Sequence, residues 1–157
     1  MGRSNSQGVI KILHVDDSRD YLLLAKARLS KLMEELSIDW AESGIDALKA
    51  MQSNDYNCVV CDFQMPDMDG MKLLETLRGE GDNTPFIFLS SRDDKDIVER
   101  AKETGANGYC LKEFGPQNFV RLVNSIVKAL RGNPALKRKL KKKLANDPSF
   151  LKHFKSV

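Results

Sequence analysis

Four short stretches end apolar runs in residues able to handle charge. HVDDS (14–18) closes on Asp16 and Asp17, VVCDFQMPDMDG (59–70) passes abruptly into Asp62, FLSS (88–91) ends in Ser90 and Ser91, and GYCLKEF (108–114) reaches Lys112. Three aspartates gathered in one cleft repel one another, and one would bind a proton unless a cation intervened. Oxygen donors select a hard dication, Mg²⁺ or Mn²⁺, and Mg²⁺ keeps enough water that two or three protein oxygens suffice. Such a centre leaves Asp62 able to attack an electrophilic phosphorus. Lys112, as a point charge, and Ser90, as a hydroxyl donor, can then hold the transferred oxygens. The chemistry requires that the first strand lie beside the third.

The rest of the chain supplies elements to meet that requirement. Strands are expected at 9–15, 38–43, 58–62, 85–91 and 108–112. Helical spacing runs through 18–36, 44–53, 70–79, 93–106 and 116–132, with Ser18 as an N-cap, Gly79 and Gly105 as stop signals and Pro116 in a first turn. Five β-α units joined by short connections, with strands that are continuously apolar, predict a parallel sheet covered on both faces. With right-handed crossovers this is a doubly wound α/β fold, whose ligands bind at the C-terminal ends of the strands.

Taken together and in order, HVDDS, VVCDFQMPDMDG, FLSS and GYCLKEF resemble the signature segments of the response-regulator receiver domain of two-component signalling, over residues 9 to 131. The D-x-x-M-P-x-M-D-G segment is the most specific of them. The resemblance implies a flavodoxin-like sheet of order 2-1-3-4-5 with five helices. It also implies that Asp62 accepts a phosphoryl group from a sensor histidine kinase, a phosphotransfer protein or a small phosphodonor. Asp17 and Asp62 would ligate Mg²⁺ directly, Asp16 largely through water, and the backbone carbonyl of Gln64 would add a ligand. Lys112 would pair with the phosphoryl oxygens, Ser90 would shift to hydrogen-bond them, and Tyr109 would rotate into the space vacated. The output would be a partner-binding face made by the fourth helix, fifth strand and fifth helix, to which Val120 and Val127 could contribute. The protein would then be a signalling phosphoacceptor rather than an enzyme.

Two positions depart from or qualify the pattern. Glu113 stands where the family usually has a proline after a cis bond. A cis bond before a non-proline residue costs about 2.5–4 kcal/mol, so the Lys112–Glu113 bond is expected to be trans, or cis under strain. Gln64, two residues past the acceptor, is expected to shield or orient attacking water and so tune the phosphoryl lifetime.

Composition narrows the remaining options. Hydrophobic residues are 41% and charged residues 30% of 157, an ordinary globular mixture with no apolar run long enough to span a membrane. The polar start MGRSNSQG lacks the apolar core of a secretory signal, so residues 1–8 are expected to be flexible and the protein cytoplasmic. Cys58 and Cys61 form a C-x-x-C, but on a strand residues three apart face opposite ways, so both are expected to be buried, reduced and structural, and His14 a satisfied core histidine. Residues 131–157 carry nine Lys or Arg against Asp147 alone, a net of +8 that leaves −5 for the body out of a total of +3.

The tail, 132–157, is expected to be a basic amphipathic extension. A helix starts at Asn133–Pro134 with Leu136, Leu140 and Leu144 as a stripe, and a second starts at Asp147–Pro148 with Phe150, Leu151 and Phe154 as anchors. It can pack on the body or on the mate in a homodimer. A nucleic-acid or anionic-lipid partner is disfavoured by few aromatics and no reader motif. The chain fits a stand-alone phosphoryl shuttle in a phosphorelay or a piece of a larger hybrid regulator. An Asp-nucleophile phosphohydrolase would want a second carboxylate where Gln64 stands.

Overall fold

The computed structural model describes residues 9–130 and 134–145. Five strands form one parallel sheet: β1 (Ile10–Val15), β2 (Leu36–Ala41), β3 (Cys58–Asp62), β4 (Phe86–Ser90) and β5 (Gly108–Leu111), in the order β2-β1-β3-β4-β5. The expected fold class and strand order are therefore observed. The central pairings set Val15 opposite Cys61 and Asp62 opposite Leu89, so the C-terminal ends of β1, β3 and β4 lie side by side.

Between the strands run α1 (Arg19–Leu32), α2 (Gly44–Ser53), α3 (Gly70–Gly79), α4 (Lys95–Thr104) and α5 (Pro116–Ala129). The side chains of Ser18, Ser43, Asp69 and Asp94 cap the first four by accepting from backbone N–H groups of the first turn. A further helix, α6 (Pro134–Ala145), starts where Asn133–Pro134 predicts. The leucine side chains of its expected stripe, the second start at Asp147–Pro148 and residues 1–8 lie outside the described residues.

The alternation of strand residues splits the core in two. Ile10, Ile12, Cys58, Val60, Ile87 and Leu89 pack against α1 and α5, whereas Leu13, Val15, Val59, Cys61, Phe86 and Phe88 pack against the opposite face with α3. Cys58 and Cys61 are thus on opposite faces of the sheet, buried and unpaired, as their spacing requires.

Expectations for the end of α1 and for one face of α5 are corrected. The first helix stops at Leu32 rather than residue 36, because Met33 is extended and Leu36 already opens β2 beside Ile10. Met33 and Leu36 continue the helical apolar period but meet the same core from a turn and a strand. At the end of α3, Gly79 is the last helical residue and Gly81 takes the left-handed conformation at φ 81°; Gly105, at φ 111°, does close α4 as anticipated. On α5, Val120 and Val127 are 4% and 1% exposed and belong to the core with α1, so they are not available to a partner.

Candidate functional site

Strand parity aims the site residues before any contact is considered. Asp16, just past β1, Asp62, at the end of β3, and Lys112, just past β5, follow the residues that face α1 and α5. Ser90 and Tyr109 follow those that face the other way. The strand ends then bring carboxylate oxygens of Asp16, Asp17 and Asp62 within 4.8 Å of one another. Asp16 is fully buried, Asp62 nearly so, and Asp17 is exposed at the mouth.

Lys112 lies across this pocket, its Nζ 2.7 Å from Asp16 Oδ2 and 3.2 Å from Asp62 Oδ2. Its backbone N–H extends the β4–β5 ladder by donating to the Ser90 carbonyl at 2.8 Å. The Lys112–Glu113 bond is trans. The second oxygen of Asp16 accepts from the Ser18 amide at 2.8 Å, and Asp62 Oδ1 accepts a longer bond from the Gln64 amide at 3.4 Å. Burial raises the Asp62 carboxyl above the usual carboxylate range and the neighbouring Asp16 raises it further, against the pull of Lys112. Burial opposes the Lys112 charge, but Asp16 and then Asp62 outweigh it and hold the ammonium above its ordinary value.

Gly70 explains how α3 can start so close to the pocket. A Cβ there would fall 2.6 Å from the carbonyl oxygen of Asp62 and 2.8 Å from the Phe88 ring. The connecting loop turns through Asp67, a non-glycine residue at φ 67°. The Gln64 side chain is exposed over that loop, above a shallow cleft lined by Phe63, Met65, Pro66 and Asp69.

Ser90 and Tyr109 are joined through one residue that the sequence did not mark. Ser90 Oγ accepts from the Arg92 amide at 3.1 Å, and the half-buried Tyr109 donates its hydroxyl to the Arg92 carbonyl at 3.1 Å. Tyr21 was missed as well. Its ring sits beneath the Lys112 ammonium at 4.7 Å, and burial, then the charges of Asp16 and Asp62, push its hydroxyl well above the ordinary range. The available hint was its place in the first turn after Ser18, where its amide donates to the Ser18 hydroxyl.

His14 needs a correction. It is a core residue, 1% exposed and edge-on to Tyr21, but neither ring nitrogen has a hydrogen-bond partner, so it is not the satisfied histidine expected. Burial, reinforced by Lys112, lowers its pKa from 6.5 to about 3 and keeps it neutral.

The three carboxylates form an oxygen donor set suited to a hard dication, with the Lys112 ammonium paired to two of them. A family model described as the response regulator receiver domain matches residues 12–124. The transcriptional regulatory protein SrrA of Staphylococcus aureus (strain NCTC 8325 / PS 47) is 31% identical over 118 residues, which are 75% of this chain and 48% of SrrA. The chain therefore spans about half the length of that relative. The receiver domain of the Francisella response regulator 1452 is 29% identical with TM-score 0.67, covering 74% of this chain and 95% of that one. A response regulator receiver domain protein from Clostridium thermocellum is 25% identical with TM-score 0.69, covering 85% and 99%.

Proposed function

Because the chain belongs to the response regulator receiver domain family, we propose that it is a phosphorylatable switch whose phosphoacceptor is Asp62. The observation that carries this reading is the triad of carboxylates within 4.8 Å with Lys112 Nζ paired to two of them. An Asp62 oxygen attacks the phosphorus of a phosphohistidine, on a histidine kinase or a phosphotransfer protein, or of an acyl phosphate. The O–P bond forms as the bond from phosphorus to the donor's nitrogen or oxygen breaks, and the donor leaves with the electron pair. Asp17 and Asp62 directly, the Gln64 backbone carbonyl, and Asp16 through water would hold a Mg²⁺ ion, with Mn²⁺ as a substitute. When bound, the ion neutralises charge on the attacking and transferring oxygens.

The protein groups have separable duties. Lys112 follows the new negative charge onto the phosphoryl oxygens. Asp16 keeps the ammonium within reach during that change. Ser90 gives up the Arg92 amide to donate to a phosphoryl oxygen, and Tyr109 moves in the space that Ser90 leaves. The side chain of Gln64 meets the hydrolytic water and sets how long the phosphoryl group survives, so Gln64→Ala is expected to change the dephosphorylation rate severalfold; an unaltered rate removes that role. The output face consists of α4, β5 and α5, without Val120 and Val127, and engages a downstream partner.

Incubation with Mg²⁺ and acetyl phosphate tests the reading. Intact mass should rise by one phosphoryl group in the wild type and stay constant in Asp62→Asn. A wild type that gains nothing from acetyl phosphate and does not bind beryllofluoride overturns it.

A further inference from the structure

The loop after Lys112 is the place where this chain departs from the pattern it resembles, and it is tied down by side chains. Glu113 is exposed, yet its Oε1 accepts from Nδ2 of Asn118 at 2.8 Å, and Asn118 is only 7% exposed. The Asn118 amide in turn donates to the Gly115 carbonyl at 3.1 Å. Gly115, the N-cap of α5, offers no side-chain cap, and the first helical turn contains no acid. The Glu113 carboxylate therefore takes over a charge-favourable place at a helix start.

An aromatic tie lies alongside. Phe114, 66% exposed, sets its ring edge-on to Tyr21 with centroids 5.4 Å apart, and Phe119 stacks on Tyr21 at 6.0 Å. Residues 114 and 119 flank Gly115 at the positions of a hydrophobic staple, here closed through Tyr21. The same Tyr21 ring carries the Lys112 ammonium. A polar bond and an aromatic contact thus converge on the residue that must aim its charge at the phosphoryl group.

We infer that Asn118, Glu113 and Tyr21 are positioning residues for Lys112: the 113–118 clasp fixes the loop that follows it, and the Tyr21 ring seats its ammonium. This rests on the proposed role of Lys112 at the phosphoacceptor. Two consequences follow from the geometry. The clasp needs an acceptor at Glu113 Oε1, not a negative charge, so Glu113→Gln keeps it and Glu113→Ala breaks it. The seat needs a ring face, not a hydroxyl, so Tyr21→Phe keeps it and Tyr21→Leu removes it.

The test measures Asp62 phosphorylation by acetyl phosphate in saturating Mg²⁺, separating the maximal rate from the half-saturating donor concentration, together with relaxation of the Lys112 Cε methylene in metal-free protein. Misplacing a catalytic group slows chemistry by about tenfold or more, so Glu113→Ala, Asn118→Ala and Tyr21→Leu should lose at least about fivefold in maximal rate with little change in half-saturation. Their Lys112 methylene should become more mobile. Glu113→Gln and Tyr21→Phe should stay within about twofold of wild type. Glu113 is exposed, so its variants address the clasp even if Tyr21→Leu fails to fold. Rates within twofold for Glu113→Ala and Asn118→Ala, or equal losses in Glu113→Gln and Glu113→Ala, overturn the inference while the phosphoacceptor reading stands. An inert wild type overturns both.

Discussion

The buried ring of His14 ties folding to pH. Neutral when folded, it titrates near 6.5 when unfolded and at about 3 when folded. Below pH 6.5 the unfolded chain binds the extra proton, so stability is complete above that value and declines as pH falls toward 3. Between pH 6.5 and 5 this single group should cost about 1.5 kcal/mol. His14→Leu should flatten the melting temperature over that window, and a slope equal to wild type would remove the assignment. The acids and the lysine were legible in the sequence because residue type and strand-end position together specify them. Arg92 was not, because it acts through its backbone amide and carbonyl, which every residue carries. Tyr21 was hidden for a related reason: an aromatic in a helix's first turn reads as core until the lysine above it is located.

At the scale of elements, the junction of β3 with α3 is the tightest in the molecule's functional end. Gly70→Ala would drive a Cβ into the Asp62 carbonyl, which is backbone and cannot swing aside. We expect it to destabilise the fold by roughly 1–3 kcal/mol and to slow phosphorylation, read by thermal melts and by the intact-mass assay; unchanged values in both would mean that α3 shifts freely. Ser43→Ala, by contrast, removes a cap from the Asp46 amide and should cost about 1 kcal/mol without affecting phosphorylation. The bounds of α2, β3 and α3 match the expected ones to the residue, with Gly79 stopping the third helical period and an aspartate ending the apolar run. The end of α1 does not. Its apolar period runs on through Met33 and Leu36, and a backbone bond from Ile10 to Glu35 at 2.8 Å, made across more than twenty residues, decides where the strand begins. Val120 and Val127 were misplaced by the same limitation: α5 is buried on two sides, against the sheet and against α1, and a single helical stripe does not register the second neighbour.

For the molecule as a whole, the strand order was legible through the resemblance of the four signature segments to the receiver family; the aspartates by themselves say only that a shared ion would need β1 beside β3. The tail is where the reading ran out: six Lys or Arg in α6 with no acid describe a charge and name no partner. The matched family segment, 12–124, ends before α6 begins. A chain cut after Arg131 should therefore fold and accept a phosphoryl group within about twofold of the rate of the 157-residue chain, because Asp16, Asp17, Asp62 and Lys112 of the pocket all precede the cut. A tenfold loss on truncation would make the tail part of the switch. One feature of the central wall bears on a different hazard. Because the sheet stands between the thiols of Cys58 and Cys61, an oxidising spell has no route to join that pair to each other. Only Cys110, half-buried on an edge strand beside Ser125, is within reach of an outside reagent. Damage of that sort would register as adducts or as pairs of copies joined through Cys110.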